Sequence, residues 1–176
     1  MIKENDIRPL LSEQEIQDGI KNLADILNKK YHEQELYLIC VLKGSVMFMT
    51  DLAKHLKMPI KMEFIRLSSY GSGTQSSGKV NAVDIKLPDL NGKNVLIIED
   101  IIDTGNTAKF LMDFLNQNFK FNDIKFCALL DKKIKREANI DADYYCFEVA
   151  DKFLVGYGLD FNGNFRNLPY IGYIEV

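Results

Sequence analysis

Apolar and polar positions follow two spacings in this chain, and the changeovers between them mark out its elements. Ser12 and Glu15 have the separation of a capping box, and Ile16, Ile20, Leu23, Ile26 and Leu27 follow at helical intervals. This predicts a first helix running to about Lys30. Glu35–Leu42 (ELYLICVL) is almost wholly apolar and reads as a central strand; after Lys43-Gly44-Ser45, a helical pattern resumes over Val46–Leu56. The same succession recurs later. Val95–Ile98 has no polar break, as expected of a strand buried on both faces of a parallel sheet, and beyond a polar stretch Phe110, Leu111, Phe114 and Leu115 return to helical spacing. Ile60–Leu67, Val80–Ile85, Ile124–Leu130 and Tyr144–Val149 are further strands. Leu154–Leu159 and Ile171–Val176 are short strand candidates separated by the turn Asn162-Gly163-Asn164. Paired strand–turn–helix units predict an α/β fold with an open, mostly parallel twisted sheet flanked by helices. Its ligands belong at the carboxyl ends of the strands.

Two stretches depart from this rhythm. Ser68–Gly78 (SSYGSGTQSSG) has almost no apolar content and lies between two strands. A flexible connector is the plain alternative, and a lid projecting between the two strands is the favoured reading. The segment from about 150 to 176, rich in aromatics and glycine, predicts a small hood over the strand ends, shared with the N-terminal segment.

Composition narrows the picture. The 176 residues predict one domain over 1–176, able to bury roughly 70% of its unfolded surface. A net charge of −3 gives no general attraction for nucleic acid or an anionic membrane, so an anionic ligand has to be captured locally. No signal peptide and no membrane-spanning apolar run is present, which predicts a cytoplasmic protein. Cys40, Cys127 and Cys146 lie far apart in apolar runs and read as buried small hydrophobes. His32 and His55 are isolated and are expected on helix surfaces.

The chemistry concentrates directly after Val95–Ile98. Glu99 and Asp100 are adjacent, and after two isoleucines come Asp103, Thr104, Gly105, Asn106 and Thr107, where a helix begins. The first N–H groups of a helix lack intrahelical partners and favour an anion, glycine allows close backbone approach, and the hydroxyls add donors. Three carboxylates beside a phosphate repel it unless hydroxyls or a cation intervene. A phosphorylated sugar answers this: hydroxyls for the acidic pair, a divalent ion for a diphosphate, the turn for a terminal phosphate. The plainer alternative is a buried strand with a polar capped turn, in which Asp103 serves as an N-terminal cap.

VLIIEDIIDTGNT (95–107) resembles the phosphoribosyl-diphosphate-binding signature of the type I phosphoribosyltransferases, in a form close to the short bacterial hypoxanthine-guanine branch. LKGS (42–45), IRLSSY (65–70), LLDKK (129–133) and DKFLVGYGLDFNGNFR (151–166) extend the resemblance in the family's order. It implies that fold, transfer of a 5-phosphoribosyl group to N9 of a 6-oxopurine, and Mg²⁺ as cofactor. It also implies small-molecule substrates and a homodimer or homotetramer, with neither nucleic acid nor membrane as partner.

The resemblance assigns roles residue by residue. Asp103 matches the general base. Glu99 and Asp100 would accept from the ribose hydroxyls and help to hold Mg²⁺, while Thr104, Gly105, Asn106 and Thr107 would hold the 5′-phosphate. Lys43, Gly44 and Arg166 match the diphosphate contacts, with a non-proline cis peptide expected at Leu42–Lys43. Ser69 and Tyr70 match the lid pair. Lys132 would donate to the purine 6-oxo group, Phe153 would stack on the base, and Leu154 would present backbone to its edge. Asp160 lies on the purine side as well and matches the acid of a second Mg²⁺. Asn106 departs from the lysine frequent at that place in relatives. Lys133 and Lys135 read as a solvated basic patch.

Rival readings are a nucleotide-sensing regulator that binds nucleic acid, an aspartic protease suggested by Asp103-Thr104-Gly105, and a receiver-like phosphotransfer domain. The acidic overall charge counts against the first, the helix following the tripeptide against the second, and the polar loop and hood against the third.

Overall fold

The computed structural model describes residues 2–69, 80–84 and 86–175. The elements in chain order are β1 (Arg8–Leu11), α1 (Glu13–Lys30), β2 (Leu36–Leu42), α2 (Val46–His55), β3 (Ile60–Ser69), β4 (Val80–Asp84) and β5 (Asn94–Ile102). These are followed by α3 (Asn106–Asn118), β6 (Asp123–Asp131), β7 (Tyr144–Glu148), β8 (Phe153–Val155) and β9 (Ile171–Ile174). Six strands form the main sheet in the order β4-β3-β2-β5-β6-β7, with only β4 antiparallel to its neighbour. A second, antiparallel sheet of order β1-β9-β8 joins the two chain ends as the hood. Of the polar loop Ser68–Gly78, only Ser68 and Ser69 are described, as the end of β3. Tyr70 lies outside the described residues.

Alternation along the strands explains the unbroken apolar runs. Leu36, Leu38 and Cys40 of β2, with Leu96 and Ile98 of β5, pack under α1 and α2; Tyr37, Ile39 and Val41, with Val95 and Ile97, pack under α3. Both faces are covered, so each position must be apolar. Full burial of such a side chain stabilises by about 1.5–3 kcal/mol. In α1, Ser12 and Glu15 form the expected reciprocal cap, with Glu15 N–H donating to Ser12 Oγ at 3.3 Å and Ser12 N–H to Glu15 Oε2 at 2.8 Å. The buried stripe of α1 is Ile16, Ile20, Leu23, Ala24 and Leu27, whereas Ile26 is 53% exposed. The 4-3-4 spacing from 16 to 27 leaves Ile26 one position off the stripe.

Smaller departures have local causes. His55 ends α2 as an exposed residue, but His32 lies in the turn beyond α1, also exposed. The expected strand Leu154–Leu159 stops at Val155, because Gly156, Tyr157 and Gly158 all take positive φ (97°, 48° and 99°) and reverse the chain. Tyr157 is fixed there by donating its hydroxyl to Asp51 Oδ2 at 2.6 Å. The turn at 162–164 forms as expected: Asn162 and Gly163 have φ of 50° and 81° inside the bridge Phe161–Asn164.

Candidate active site

The chain runs outward in opposite directions from the β2–β5 pair, to β3 on one side and to β6 and β7 on the other. An open parallel sheet has its crevice at such a switch. Pairing of β5 with β2 ends at Cys40 opposite Ile98, but pairing with β6 continues to Ile102 opposite Asp131. β5 therefore runs four residues past its apolar core, and Glu99 and Asp100 lie within the strand beside the gap that β2 leaves. The Lys43-Gly44 loop fills that gap. A Cβ on Gly44 would lie 1.4 Å from Asp100 Oδ2, and one on Gly158 would lie 2.0 Å from the Gly44 carbonyl oxygen. Loop, acidic pair and hood meet at a distance only glycine permits. The Leu42–Lys43 peptide is cis, and the Lys43 side chain is exposed.

The acidic pair is poorly neutralised. Glu99 Oε2 is sealed from solvent and has no hydrogen-bond partner among the described residues, while Asp100 Oδ1 accepts from the Ile101 N–H at 2.8 Å. Burial first, then the neighbouring Asp100 charge, pushes the Glu99 carboxyl well above its usual range. Burial also raises Asp100, against the pull of the Ile101 N–H and the Arg166 charge. Such a pair suits a cation or donor hydroxyls. Among the described residues no group of three or more His, Cys, Asp or Glu is placed to hold a metal ion, so a metal here would need substrate oxygens. Magnesium commonly uses one or two carboxylates and completes its shell with water and substrate phosphate, which fits these two residues.

The turn after β5 is short. Gly105, at φ 83°, is the N-cap of α3, and no side chain caps the helix. Asp103 is therefore not the cap, because β5 continues to Ile102 and places Asp103 two residues too early. The Asn106 N–H lies 3.4 Å from Thr104 Oγ1, and a cavity of about 100 Å³ is lined by Glu99, Asp103, Thr104, Gly105 and Thr107 among others. Open helical N–H groups and threonine hydroxyls at one small cavity form an anion cradle.

Lys132 follows β6 and is buried, at 6% exposure. Its Nζ lies 3.1 Å from Asp103 Oδ2 and 3.2 Å from Asp151 Oδ1, while Asp103 Oδ1 is sealed and has no partner among the described residues. Lys135 joins Asp151 at 3.0 Å and Lys133 joins Glu148 at 2.8 Å, so the basic patch is ion-paired rather than simply solvated. Asp100, Asp103, Lys132, Phe153, Leu154 and Asp160 line one cleft of about 210 Å³. Phe153 meets Phe161 edge-on at 5.6 Å. Asp160 has both oxygens engaged, by Arg166 Nη2 at 2.5 Å and the Gly163 N–H at 2.6 Å; Arg166 Nη1 also donates to the Gly158 carbonyl. The two linings thus bring together Glu99, Asp100, Asp103, Thr104, Gly105, Thr107, Lys132, Phe153, Leu154 and Asp160, with Arg166 joined through Asp160 and Gly44 packed on Asp100; the Asn106 side chain instead donates to Glu137 Oε2 at 3.1 Å, and Lys43 lines neither. Sequence reasoning missed Asp131 and Arg136, which lie behind the phosphate turn. Arg136 closes a run of cations with no distinguishing spacing, and Asp131 looks like an ordinary strand end.

Switch-point crevice, acidic pair and anion cradle together define a site for a phosphorylated sugar, and comparison with known proteins agrees. A family model described as a phosphoribosyl transferase domain matches residues 8–162. The chain belongs to the phosphoribosyltransferase family and is an enzyme of that class. Within the family its relatives are specific. It is 44% identical over 173 residues to a hypoxanthine-guanine phosphoribosyltransferase of Streptococcus pneumoniae, covering 98% of this chain and 96% of the other. The corresponding Streptococcus pyogenes protein is 43% identical over the same shares. A crystal structure of a hypoxanthine phosphoribosyltransferase from Staphylococcus aureus superposes with a TM-score of 0.91 at 41% identity, covering 97% of this chain and 93% of that one. The chain is a member of the hypoxanthine-guanine branch. No helix among the described residues is long and apolar enough to cross a membrane.

Proposed function

We propose that this enzyme serves purine salvage. It moves the 5-phosphoribosyl group from phosphoribosyl diphosphate to N9 of hypoxanthine and/or guanine, giving IMP or GMP and diphosphate. One observation carries the reading: Asp100, Asp103, Lys132, Phe153, Leu154 and Asp160 face a single cleft. A ribose acceptor, a carboxylate base, an ammonium donor and an aromatic face thus converge on a space suited to one heterocycle.

Carbon 1 of the ribose gains positive charge as diphosphate leaves, so the chain's residues must align the reactants and accept a proton. The cradle Thr104–Thr107 holds the 5′-phosphate. Glu99 and Asp100 accept hydrogen bonds from the ribose hydroxyls. Asp103, which lines the cleft, takes the purine N7 proton. Lys132 has three donors; Asp103 and Asp151 engage two, leaving one for the 6-oxo oxygen. Phe153 stacks on the base, worth about 1–3 kcal/mol, and the Leu154 backbone meets its edge. Lys43, Gly44 and Arg166 hold the diphosphate. Glu99 and Asp100 would help to hold Mg²⁺ and Asp160 a second ion, each with substrate oxygens and water, and such ions would neutralise the leaving diphosphate. For Asp160 this requires exchange of its Arg166 contact.

The same reading treats 1–176 as one domain that works as a homodimer or homotetramer in the cytoplasm. Its thiols suit a reducing compartment: all three are free, and burial raises those of Cys40 and Cys146 to about 11 and about 12.

The test is a panel of hypoxanthine, guanine, xanthine and adenine with Mg²⁺ and phosphoribosyl diphosphate. Adenine presents an amino group to Lys132, setting donor against donor, and an unpartnered buried polar group costs about 1–3 kcal/mol, more when charged. Adenine should be essentially inert and hypoxanthine a good substrate, with Lys132→Gln weakening the preference. Comparable turnover of adenine and hypoxanthine by the wild type would refute both the activity and the role of Lys132.

A further inference from the structure

One side chain holds the turn that carries Asp103 from behind. Arg136 Nε donates to the Asp103 carbonyl oxygen at 3.1 Å. Its Nη1 donates to the Ile140 carbonyl at 2.7 Å and to Asp141 Oδ1 at 2.9 Å, and its Nη2 pairs with Asp131 at the end of β6. The Arg136 side chain is 11% exposed and that of Asp131 only 1%. The next residues extend the grip, the N–H groups of Glu137 and Ala138 both donating to the Thr104 carbonyl at 2.9 and 3.0 Å. Arg136 Cδ also lies 2.8 Å from where a Cβ of Gly105 would be, so it packs under the cradle as well.

By contrast, the Asp103 carboxylate itself has few polar anchors, pairing with Lys132 through Oδ2 and forming no hydrogen bond through Oδ1 among the described residues. Its place is therefore decided by its backbone, and the side chain on that backbone carbonyl is Arg136. Burying an ion pair is a weak source of stability, because desolvation offsets most of the attraction. A planar fork reaching three carbonyl or carboxylate directions at once is a strong source of geometry.

We propose that Arg136, with Asp131 as its counter-charge, is a positioning residue that places Asp103 for proton transfer and shapes the Thr104–Thr107 cradle. The inference rests on Asp103 being the general base. Arg136→Lys keeps the charge and loses the fork. It should lower kcat with hypoxanthine by about 10–100-fold, since a displacement near 1 Å can cost that much, and leave KM for hypoxanthine nearly unchanged. KM for phosphoribosyl diphosphate should rise. In an Asp103→Asn background, with the base already lost, the same change should lower kcat by less than about 3-fold.

Equal fold-losses in the two backgrounds, or a lowered Tm with normal kcat per folded molecule, would overturn the proposal. If Arg136→Lys does not fold, Asp131→Asn loosens the same anchor more gently and should show a smaller kcat loss, about 3–10-fold, with the same non-additivity; its absence there also overturns the proposal. Failure of the underlying reading looks different. Near-normal turnover by Asp103→Asn alone removes the base, whereas a disabled Asp103→Asn beside a fully active Arg136→Lys removes only the positioning role.

Discussion

The two ends of the parallel sheet treat their polar groups in opposite ways. At the amino end, Asp123 opens β6 and accepts from Tyr31 Oη at 2.8 Å and pairs with Lys30 at 2.8 Å. Asn94 opens β5 and donates to Gln34 Oε1 at 3.1 Å, while Asn122 donates to Asn94 Oδ1 at 2.6 Å. At the carboxyl end, Glu99 Oε2 and Asp103 Oδ1 are sealed without a hydrogen bond among the described residues. The titration follows the same divide. Burial alone would raise Asp123, but Lys30 and Tyr31 overrule it and hold the carboxylate low; burial and mutual repulsion raise Glu99. Polar groups that serve only the fold find partners within the chain, while those at the crevice are left for a ligand to complete.

The strongest way to break this contrast is Asp103→Asn. It should cut turnover by about 10²–10⁴, the range for lost acid–base catalysis, with binding of Mg²⁺-phosphoribosyl diphosphate by calorimetry nearly unchanged. A variant that kept its turnover and lost only thermal stability would make Asp103 a structural residue like Asp123.

Asp123→Asn is the mirror experiment. Loss of charge-assisted hydrogen bonds should lower unfolding free energy by about 1.5–3 kcal/mol in urea titration, with kcat of the folded enzyme unaltered. A large fall in kcat there would mean that the amino end reaches the chemistry.

Glu99→Gln should move stability the other way. Removing a repelled, desolvated charge should raise the ligand-free Tm by about 2–4 °C, roughly 1 kcal/mol for a domain of this size, while weakening activity. A lowered Tm would show that the pair is already satisfied within the chain.

The smallest effect is the pH response without Mg²⁺ and substrate, and its sign differs between the ends. Glu99 has a raised folded pKa, so its contribution to stability is full below the usual carboxylate range, about 4.3, and is lost as pH rises through the raised value. Asp123 has a lowered one, so its contribution is present above about 3.9 and is lost as pH falls through the lowered value. Between about pH 4 and about pH 8, the Tm of Glu99→Gln should exceed that of the wild type by less at the acid end than at the alkaline end. A constant difference would remove Glu99 as the titrating group.

Much of this was legible from residue order. The capping box at Ser12, the buried run Val95–Ile98, the turn at Asn162-Gly163 and the residues of the anion cradle depend on local rules, namely spacing, alternation and backbone preference, and these act over a few residues. Spacing places Ile26 with the stripe of α1 but the fold leaves it exposed, because a single helical offset separates a buried face from its flank. The hood strand is shorter than its apolar run because Gly156, Tyr157 and Gly158 take positive φ, with the Tyr157 hydroxyl held by Asp51, 106 residues away.

Residue order alone singled out the candidates: an acidic pair at the end of a doubly buried strand, Asp103 three residues on from Asp100, a lysine after the next strand. Tertiary structure alone decided how they meet. Nothing local extends β5 past Ile98, as that depends on β6 offering partners up to Asp131. Nor does anything local require Gly44 and Gly158 to touch, or Arg136 to reach the Asp103 carbonyl. Periodicity reports how one segment meets an averaged interior, whereas contacts between distant segments are set by sheet order and close packing, which become defined only when the whole chain folds.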